Sequence, residues 1–214
     1  SDPIFSHCLL SSECWEWGPH INISDDCCPD ISDCIITGGG QGIFLKTSAD
    51  VTMTGCTISN FETGNAIRQY NSGGGDLTLI DCVVSDVTYS DYSGGGISME
   101  EGGNLTLTDC TISNCQCWGA GGGVYVKNGT HTISNCTFTG NTSWNSQIPL
   151  LGGGGICFDD ASATLSHCTF DGNYADQGGG AVTISGTGSL TVDHCTIYNN
   201  ANSGLWLEGN PTTQ

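Results

Sequence analysis

Few side chains in this sequence could carry out acid–base catalysis. Asp159 and Asp160 are adjacent carboxylates, and glycoside hydrolysis uses a pair of carboxylates. Neighbouring residues of a strand point to opposite faces, so we expect these two to lie in a solvated turn. His167 and His194 each precede a cysteine, and we expect turn residues there, with a stacked exposed pair as the alternative. No nucleophile accompanies either histidine, and no catalytic residue is predicted.

The charge of the chain limits its partners. The chain contains 22 Asp and Glu residues but only three basic residues, Lys46, Arg68 and Lys127, which gives a formal net charge of −19. Such a surface repels nucleic acid, anionic lipid and polyuronates. Lyases that act on acidic sugars need basic groups close together, and these three are far apart in sequence. We expect no nucleic-acid partner and, because no apolar run approaches about 20 residues, no membrane insertion.

Acidic residues near the N-terminus could bind Ca²⁺ through hard oxygen ligands. These are Asp25, Asp26, Asp30 and Asp33. Neither an EF-hand loop nor a calcium-binding nonapeptide repeat is present, so solvated charge is favoured. No cofactor or metal is predicted, with Ca²⁺ as the alternative.

A repeat built around seven cysteines determines the fold prediction. The cysteines stand 22 to 32 residues apart and are Cys34, Cys56, Cys82, Cys110, Cys136, Cys168 and Cys195. An aliphatic residue or phenylalanine follows each by two positions. A threonine precedes each of the last six by four positions, namely Thr52, Thr78, Thr106, Thr132, Thr164 and Thr191. Alternation with a period of two predicts strands with one buried face.

Each repeat also contains glycines and a second short apolar run, such as "GVYV" or "GICF". Three short strands in about 25 residues, without a helical pattern, predict a parallel β-helix, in which glycines form the corners. A propeller blade would need about 40 residues. We therefore predict an all-β fold, a single right-handed parallel β-helix of about seven three-strand rungs over residues 31–214. Residues 1–30 are predicted to form an irregular, disulfide-rich N-terminal cap.

Short motifs resemble the repeats of polymorphic outer-membrane proteins, the passengers of autotransporter adhesins. "FTGN" at Phe138–Asn141, "FDGN" at Phe170–Asn173 and "GGAV" at Gly179–Val182 match the "FxxN" and "GGA[ILV]" motifs of that family. The resemblance covers roughly Asp33 to Asn210. It implies a right-handed β-helix passenger exposed at a surface.

The fourteen cysteines fall into two groups. The seven repeat cysteines are predicted to be an inward ladder of buried thiols, because parallel stacking holds Cβ atoms about 4.8 Å apart, beyond the usual disulfide range; vertical disulfides are the alternative. The disulfide candidates are Cys8, Cys14, Cys27, Cys28, Cys115, Cys117 and Cys157. We expect two bridges among the first four, and one between Cys117 and Cys157, with Cys115–Cys117 as the rival.

Outward-facing residues could bind ligands. The stacked threonines resemble the flat rows with which β-solenoid antifreeze proteins bind ice, although ordinary strand packing also accounts for them. Phe44, Tyr125 and Trp206 are expected on the outside of the second strand, where they could stack on sugars or on a protein partner. Sequons for N-glycosylation occur at Asn22, Asn104, Asn128, Asn135 and Asn141.

These features together predict a non-enzymatic extracellular structural or adhesive surface protein. The alternatives are a polysaccharide-binding or polysaccharide-degrading β-helix enzyme and an ice-binding β-solenoid. The final rung leaves Leu205 and Leu207 over an open core. We therefore also expect homotypic association through the β-helix ends, which would build a filament if subunits stack end to end.

Overall fold

The computed structural model describes residues 4–11, 19–24, 29–46, 48–70, 74–144, 152–209 and 212–213. Every regular element in these ranges is a β-strand, and none of the described residues belongs to a helix that could cross a membrane. The strands are β1 (Ile4–Ser6), β2 (Leu9–Ser11), β3 (Pro19–Ser24), β4 (Asp30–Ser32), β5 (Ile35–Thr37), β6 (Gln41–Lys46), β7 (Val51–Thr54), β8 (Thr57–Phe61), β9 (Ile67–Gln69), β10 (Leu77–Ile80), β11 (Val83–Ser90), β12 (Ile97–Met99), β13 (Leu105–Thr108), β14 (Thr111–Cys117), β15 (Val124–Lys127), β16 (Thr130–Ser134), β17 (Thr137–Thr139), β18 (Thr142–Ser143), β19 (Ile156–Asp159), β20 (Ser162–Ser166), β21 (Thr169–Asp171), β22 (Tyr174–Ala175), β23 (Gly179–Ser185), β24 (Ser189–Asp193), β25 (Thr196–Tyr198), β26 (Ser203–Leu207) and β27 (Thr212–Thr213).

The strands form three parallel sheets that run the length of the molecule. Sheet A contains β1, β4, β7, β10, β13, β16, β20, β24 and β27 in that order; sheet B runs from β2 through β5, β8, β11, β14, β17 and β21 to β25; sheet C runs from β3 through β6, β9, β12, β15, β19 and β23 to β26. One strand from each sheet makes a coil. The described residues form eight stacked coils, and β27 pairs with β24 as the first strand of a further coil. Coil 4 is β10–β12, coil 5 is β13–β15, coil 6 is β16–β19 and coil 7 is β20–β23. The predicted all-β parallel β-helix is confirmed.

The N-terminal segment departs from the prediction. Ile4 pairs with Asp30, Leu9 with Ile35 and Ile21 with Ile43, so β1, β2 and β3 form coil 1 in register with coil 2. An irregular cap is therefore wrong for residues 4–11 and 19–24, whereas the seven rungs predicted over residues 31–214 are confirmed as coils 2 to 8. Cys14, Cys27 and Cys28, and with them the predicted cap disulfides, lie outside the described residues.

Left-handed residues turn the chain from sheet A to sheet B. In each coil the residue before the repeat cysteine has a φ between 49° and 63°; these residues are His7, Asp33, Gly55, Asp81, Asp109, Asn135, His167 and His194. Among residues with a side chain, Asn, Asp and His adopt this conformation most readily, and glycine adopts it freely. The corner therefore explains why "DC", "NC", "HC" and "GC" recur in the sequence.

The glycine triplets allow close approach of the backbone at another corner. A Cβ atom on Gly121, which has φ 69°, would lie 2.1 Å from the carbonyl oxygen of Val124. On Gly122 it would lie 2.5 Å from the carbonyl carbon of Thr142 in the next coil. Neither contact is possible for a larger residue without movement of the backbone, so glycine is required at both positions.

The interior contains stacked columns of like side chains. Phe138 and Phe170, two positions after their repeat cysteines, are fully buried and stack with ring centroids 4.8 Å apart. Ile112 and Ile58 occupy the same position in earlier coils and are also fully buried. Burial of one such side chain contributes about 1.5–3 kcal/mol, so these columns dominate the stability of the solenoid.

An asparagine ladder runs through the last three coils. Asn141 and Asn173 are fully buried, and Asn141 Nδ2 donates hydrogen bonds to Ile112 O (2.9 Å) and to Asn173 Oδ1 (3.0 Å). Asn173 Nδ2 donates in the same way to Phe138 O and Asn200 Oδ1, both at 2.9 Å. Because its amide nitrogen is enclosed and bonded, Asn141 cannot carry a glycan in the folded chain, and its prediction as a glycosylation site is wrong.

Candidate binding surfaces

The repeat cysteines form one column within the core, buried at every position except the half-buried Cys195. Backbone N–H groups donate to the sulfur of the next coil, at 3.4 Å from Cys56 N to Cys82 Sγ and from Cys110 N to Cys136 Sγ. Cys8 lies at the same position in coil 1, where Ile35 N donates to Cys8 O, so its assignment to a cap disulfide is wrong. The cysteines from Cys56 to Cys195 in this column are free thiols, and the column thus packs as a row of small apolar groups.

The remaining described cysteines are not bridged. Cys115, Cys117 and Cys157 are free, which makes both predicted pairings, Cys117–Cys157 and Cys115–Cys117, wrong. Cys115 and Cys117 both face inward from β14, and neighbours on one face of a strand are about 6.6 Å apart. Cys157 is enclosed on the outer face of sheet C with Ala120 and Tyr125. Burial raises the pKa of Cys115 and of Cys117 to about 12.

The two candidate carboxylates are engaged in different contacts. Asp159 is half-buried and accepts hydrogen bonds from Tyr125 Oη (2.9 Å) and Ser185 Oγ (3.1 Å). Asp160 is exposed at a left-handed corner, where it accepts a hydrogen bond from Thr187 N at 3.2 Å. Each carboxylate therefore supports local structure. The expected solvated turn fits Asp160 but is wrong for Asp159, which lies in β19 and is half-buried.

The two candidate histidines stack at the corner between sheets A and B. The rings of His167 and His194 are 5.1 Å apart and nearly parallel, and both are exposed. His194 Nδ1 lies 2.6 Å from Asp193 Oδ1.

Throughout the described ranges no group of three or more His, Cys, Asp or Glu side chains is placed to bind a metal ion. Asp25 and Asp26 of the Ca²⁺ alternative fall outside these ranges.

The predicted threonine ladder is in register along sheet A. Thr52, Thr78, Thr106, Thr132, Thr164 and Thr191 pair in that order. Thr132 and Thr164 are exposed and the other four are half-buried. The remaining sequon asparagines, Asn22, Asn104, Asn128 and Asn135, are exposed.

On the outer face of sheet C, the single arginine is enclosed by aromatic rings. Arg68 Cζ lies 3.7 Å from the ring centroid of Tyr92, 4.7 Å from that of Tyr70 and 5.9 Å from that of Phe44. Its guanidinium also lies 3.3 Å from Glu100 Oε1. Arg68 is only 8% exposed, so its positive charge is enclosed by these side chains and stabilises them through cation–π contacts and the ion pair with Glu100.

Four exposed aromatic side chains form a stripe along the helix axis, one from each of coils 4 to 7. Tyr89, Trp118, Trp144 and Tyr174 are 54%, 46%, 38% and 37% exposed, and we call them the aromatic stripe. They lie where the chain continues beyond the sheet B corner, in two rows that are two residues apart in register. Trp118 and Trp144 share one row, because each follows one member of the pair Cys117–Ser143. Tyr174 pairs with Thr142 and Tyr89 precedes Ser90, the partner of Cys117, so these two lie in the other row.

Contacts between coils hold the stripe in place. Tyr89 and Trp118 meet edge to face with centroids 5.8 Å apart, and Trp144 and Tyr174 are 5.3 Å apart. Trp118 N donates to Ser90 O at 2.8 Å, and Trp144 N to Cys117 O at 2.9 Å. A shallow pocket lined by Glu62, Thr63, Thr88 and Tyr89 adjoins the first ring. The stripe is thus an ordered, exposed surface of aromatic rings beside a carboxylate and hydroxyl groups.

The family model "Right handed beta helix region" matches residues 4–119 and 95–214, which together cover nearly the whole chain. The chain belongs to the right-handed β-helix family. Neither the search of curated proteins nor the search of solved structures found a match. Right-handed β-helices include both polysaccharide-cleaving enzymes and non-enzymatic proteins, so membership leaves the activity to be argued from the surface.

In this right-handed β-helix, the aromatic stripe does not follow the constant spacing from which the repeat was predicted. Its members follow their repeat cysteines by seven, eight, eight and six positions, because they lie in two rows and β11 contains an additional residue between Val87 and Ser90. A search for one aromatic residue six to eight positions after each cysteine would have found them. The aromatic residues predicted instead do not form a common exposed surface: Phe44 is half-buried and Tyr125 is only 8% exposed. Trp206 is exposed on sheet C, but no ring of the described residues contacts it, so it lies apart from the stripe.

Proposed function

We propose that this β-helix is a non-enzymatic structural or adhesive protein of the extracellular surface that binds its ligand through the aromatic stripe. The single observation that carries the proposal is one exposed ring on each of four neighbouring coils, with ring contacts between Tyr89 and Trp118 and between Trp144 and Tyr174. Exposed aromatic residues are enriched at recognition surfaces, because each ring adds a large apolar area with little conformational freedom to lose.

The absence of an enzymatic role is supported by the engagement of the candidate groups. Asp159 is bonded to Tyr125 and Ser185, and Asp160 lies at a separate corner. Arg68 is enclosed by rings and paired with Glu100. General acid–base catalysis requires groups that converge on one substrate atom, and these groups diverge.

The surface location is supported by the resemblance to autotransporter passengers and by the exposure of four sequon asparagines. The high cysteine content is weaker support for an extracellular location than disulfides would be, because Cys115, Cys117 and Cys157 are free thiols. The buried column is compatible with an oxidising environment, since oxidants reach buried thiols poorly. End-to-end association of subunits stays a prediction, which sedimentation over a wide concentration range tests.

The proposal is tested by incubating the protein with neutral and acidic polysaccharides and with intact cells. We expect no new reducing ends and no unsaturated products, but attachment of labelled protein to cells, reduced in Trp118→Ala. The variant Trp206→Ala, altered at an exposed tryptophan on sheet C, is the matched control. Robust turnover of any polysaccharide would show that the protein is an enzyme.

Ice binding is a second candidate, favoured by the six threonines in register. Parallel strands repeat about every 4.8 Å, which gives a regular row of hydroxyl groups. Thermal hysteresis that disappears in Thr132→Tyr, at an exposed position of the row, would support this function. No hysteresis in the wild-type protein would reject it.

A further inference from the structure

We propose that the aromatic stripe binds one extended chain of a neutral, β-linked polysaccharide that lies parallel to the helix axis, with about one sugar ring for each coil. The inference rests on the proposed adhesive function and names the ligand class of the same surface. It is carried by the spacing of the rings, the polar row beside them and the charge around them.

The spacing along the axis matches an extended sugar chain. Tyr89, Trp118, Trp144 and Tyr174 come from four consecutive coils, and parallel strands lie about 4.8 Å apart, so the stripe spans about 14 Å. A pyranose in an extended β-linked chain advances by about the spacing of one coil. Three to four successive sugars would therefore each pass over a coil that carries an aromatic ring, in one of the two rows.

Polar side chains accompany the rings on the same face. Gln116 pairs with Thr142, and Thr142 with Tyr174; Thr88 precedes Tyr89 and lines the adjoining pocket. Amide and hydroxyl groups both donate and accept hydrogen bonds, as the hydroxyl groups of a sugar require. Of the exposed large aliphatic side chains of the described residues, Leu9, Ile35, Ile80 and Leu207 belong to other strands, and Val83 lies at the opposite end of β11 from Tyr89. This composition favours a glycan over an apolar protein partner.

The charges next to the stripe favour a neutral glycan. Glu62 lines the pocket beside Tyr89, and Asp176 accepts a hydrogen bond of 2.7 Å from Tyr174 Oη. Asp91 follows Ser90, which pairs with Cys117 immediately before Trp118. Carboxylates accept hydrogen bonds from sugar hydroxyl groups but repel uronates and sulfated sugars.

Affinity electrophoresis of the whole chain in gels that contain a soluble polysaccharide tests the inference. The probes are hydroxyethyl cellulose as the neutral β-linked chain, a soluble α-linked glucan, and polygalacturonate as the acidic chain. We expect retardation by hydroxyethyl cellulose, with weaker retardation by the α-glucan and none by polygalacturonate. Trp118→Ala and Trp144→Ala should each weaken binding about tenfold, which corresponds to the loss of one stacking contact.

Trp206→Ala is the matched control, because it removes an exposed tryptophan from another sheet, and it should bind like the wild type. Equal retardation by polygalacturonate, no retardation by hydroxyethyl cellulose, or equal weakening in Trp206→Ala would each overturn the inference. Stripe-dependent attachment to cells without binding to any glycan would also overturn it, but would leave the adhesive function in place. Attachment to cells that Trp118→Ala does not reduce would instead contradict the proposed function.

Discussion

His131 Nδ1 accepts a hydrogen bond from the backbone N–H of Leu105, 3.0 Å away in the preceding coil. His131 Nε2 lies 2.7 Å from Asn128 O, so the ring donates from Nε2 and is neutral. The histidine is fully buried, and burial lowers its pKa. Protonation of Nδ1 would place a charge in the core and break the bond to Leu105.

Acid should therefore destabilise the protein through His131. Because the folded-state pKa is below the unfolded value of 6.5, the stabilisation is complete above about pH 6.5 and is lost as the pH falls below it. The slope reaches about 1.4 kcal/mol per pH unit for one proton. Denaturant unfolding at several pH values measures it, and His131→Leu should flatten the dependence. His167→Gln, at an exposed histidine, is the control; the same slope in His131→Leu as in the wild type would refute this assignment.

Alkali should destabilise the protein through the buried thiols of β14. Burial raises the pKa of Cys115 and Cys117 to about 12, from an unfolded value of 9.0. Their contribution to stability is complete below about pH 9 and is lost as the pH rises towards 12, by about 1.4 kcal/mol per pH unit for each thiol. Unfolding measured between pH 8 and about 10.5 should show a shallower decline in Cys115→Ala than in the wild type. An unchanged decline in that variant would contradict the burial of a protonated thiol at this position.

Removal of one rung of the asparagine ladder should be costly. Asn173→Ala removes the acceptor of Asn141 N and of one Nδ2 hydrogen of Asn141, and it removes a donor to Phe138 O, all of them in the interior. An unsatisfied buried polar group costs about 1–3 kcal/mol, so we expect a loss of about 3 kcal/mol in the free energy of unfolding. Asn22→Ala, at an exposed position of β3, should change it by less than about 0.5 kcal/mol. A small effect of Asn173→Ala would mean that the ladder contributes little.

The left-handed corner predicts which residues Asp109 tolerates. Its φ is 56°, and its side chain is exposed. Asp109→Asn and Asp109→Gly should leave stability nearly unchanged, whereas Asp109→Val should cost about 1–2 kcal/mol, because a β-branched residue is strained at positive φ. Thermal unfolding of the three variants checks this order. Equal stability of the valine variant would contradict the conformation described for this corner.

The fold could be predicted because each coil offers the same side chain to its neighbours. Cys110, Ile112 and Thr106 each belong to a column with a constant offset, and constant offsets are visible in a sequence. Coil 1 was missed although Cys8 and Leu10 carry the same pattern, because the proline- and cysteine-rich residues around it obscured the repeat.

The candidate surface could not be predicted in the same way. Tyr89 and Trp118 differ both in their offset from the repeat cysteine and in register, because Tyr89 precedes Ser90, the partner of Cys117, whereas Trp118 follows Cys117. Tyr125 occupies an outward position of β15, yet contacts with Asp159, Ala120 and Cys157 enclose it. The exposure of a side chain at such a position depends on how neighbouring coils and loops pack against it. The sequence of one coil does not contain that information.

The most direct test of a non-enzymatic protein that binds through the aromatic stripe is isothermal titration of the wild-type chain with a neutral β-linked hexasaccharide, followed by mass spectrometry of the recovered sugar. The account predicts saturable binding, recovery of the hexasaccharide intact, and loss of binding in the double variant Trp118→Ala/Trp144→Ala while Trp206→Ala binds normally. Recovery of shortened sugars, or undiminished binding by the double variant, would contradict it.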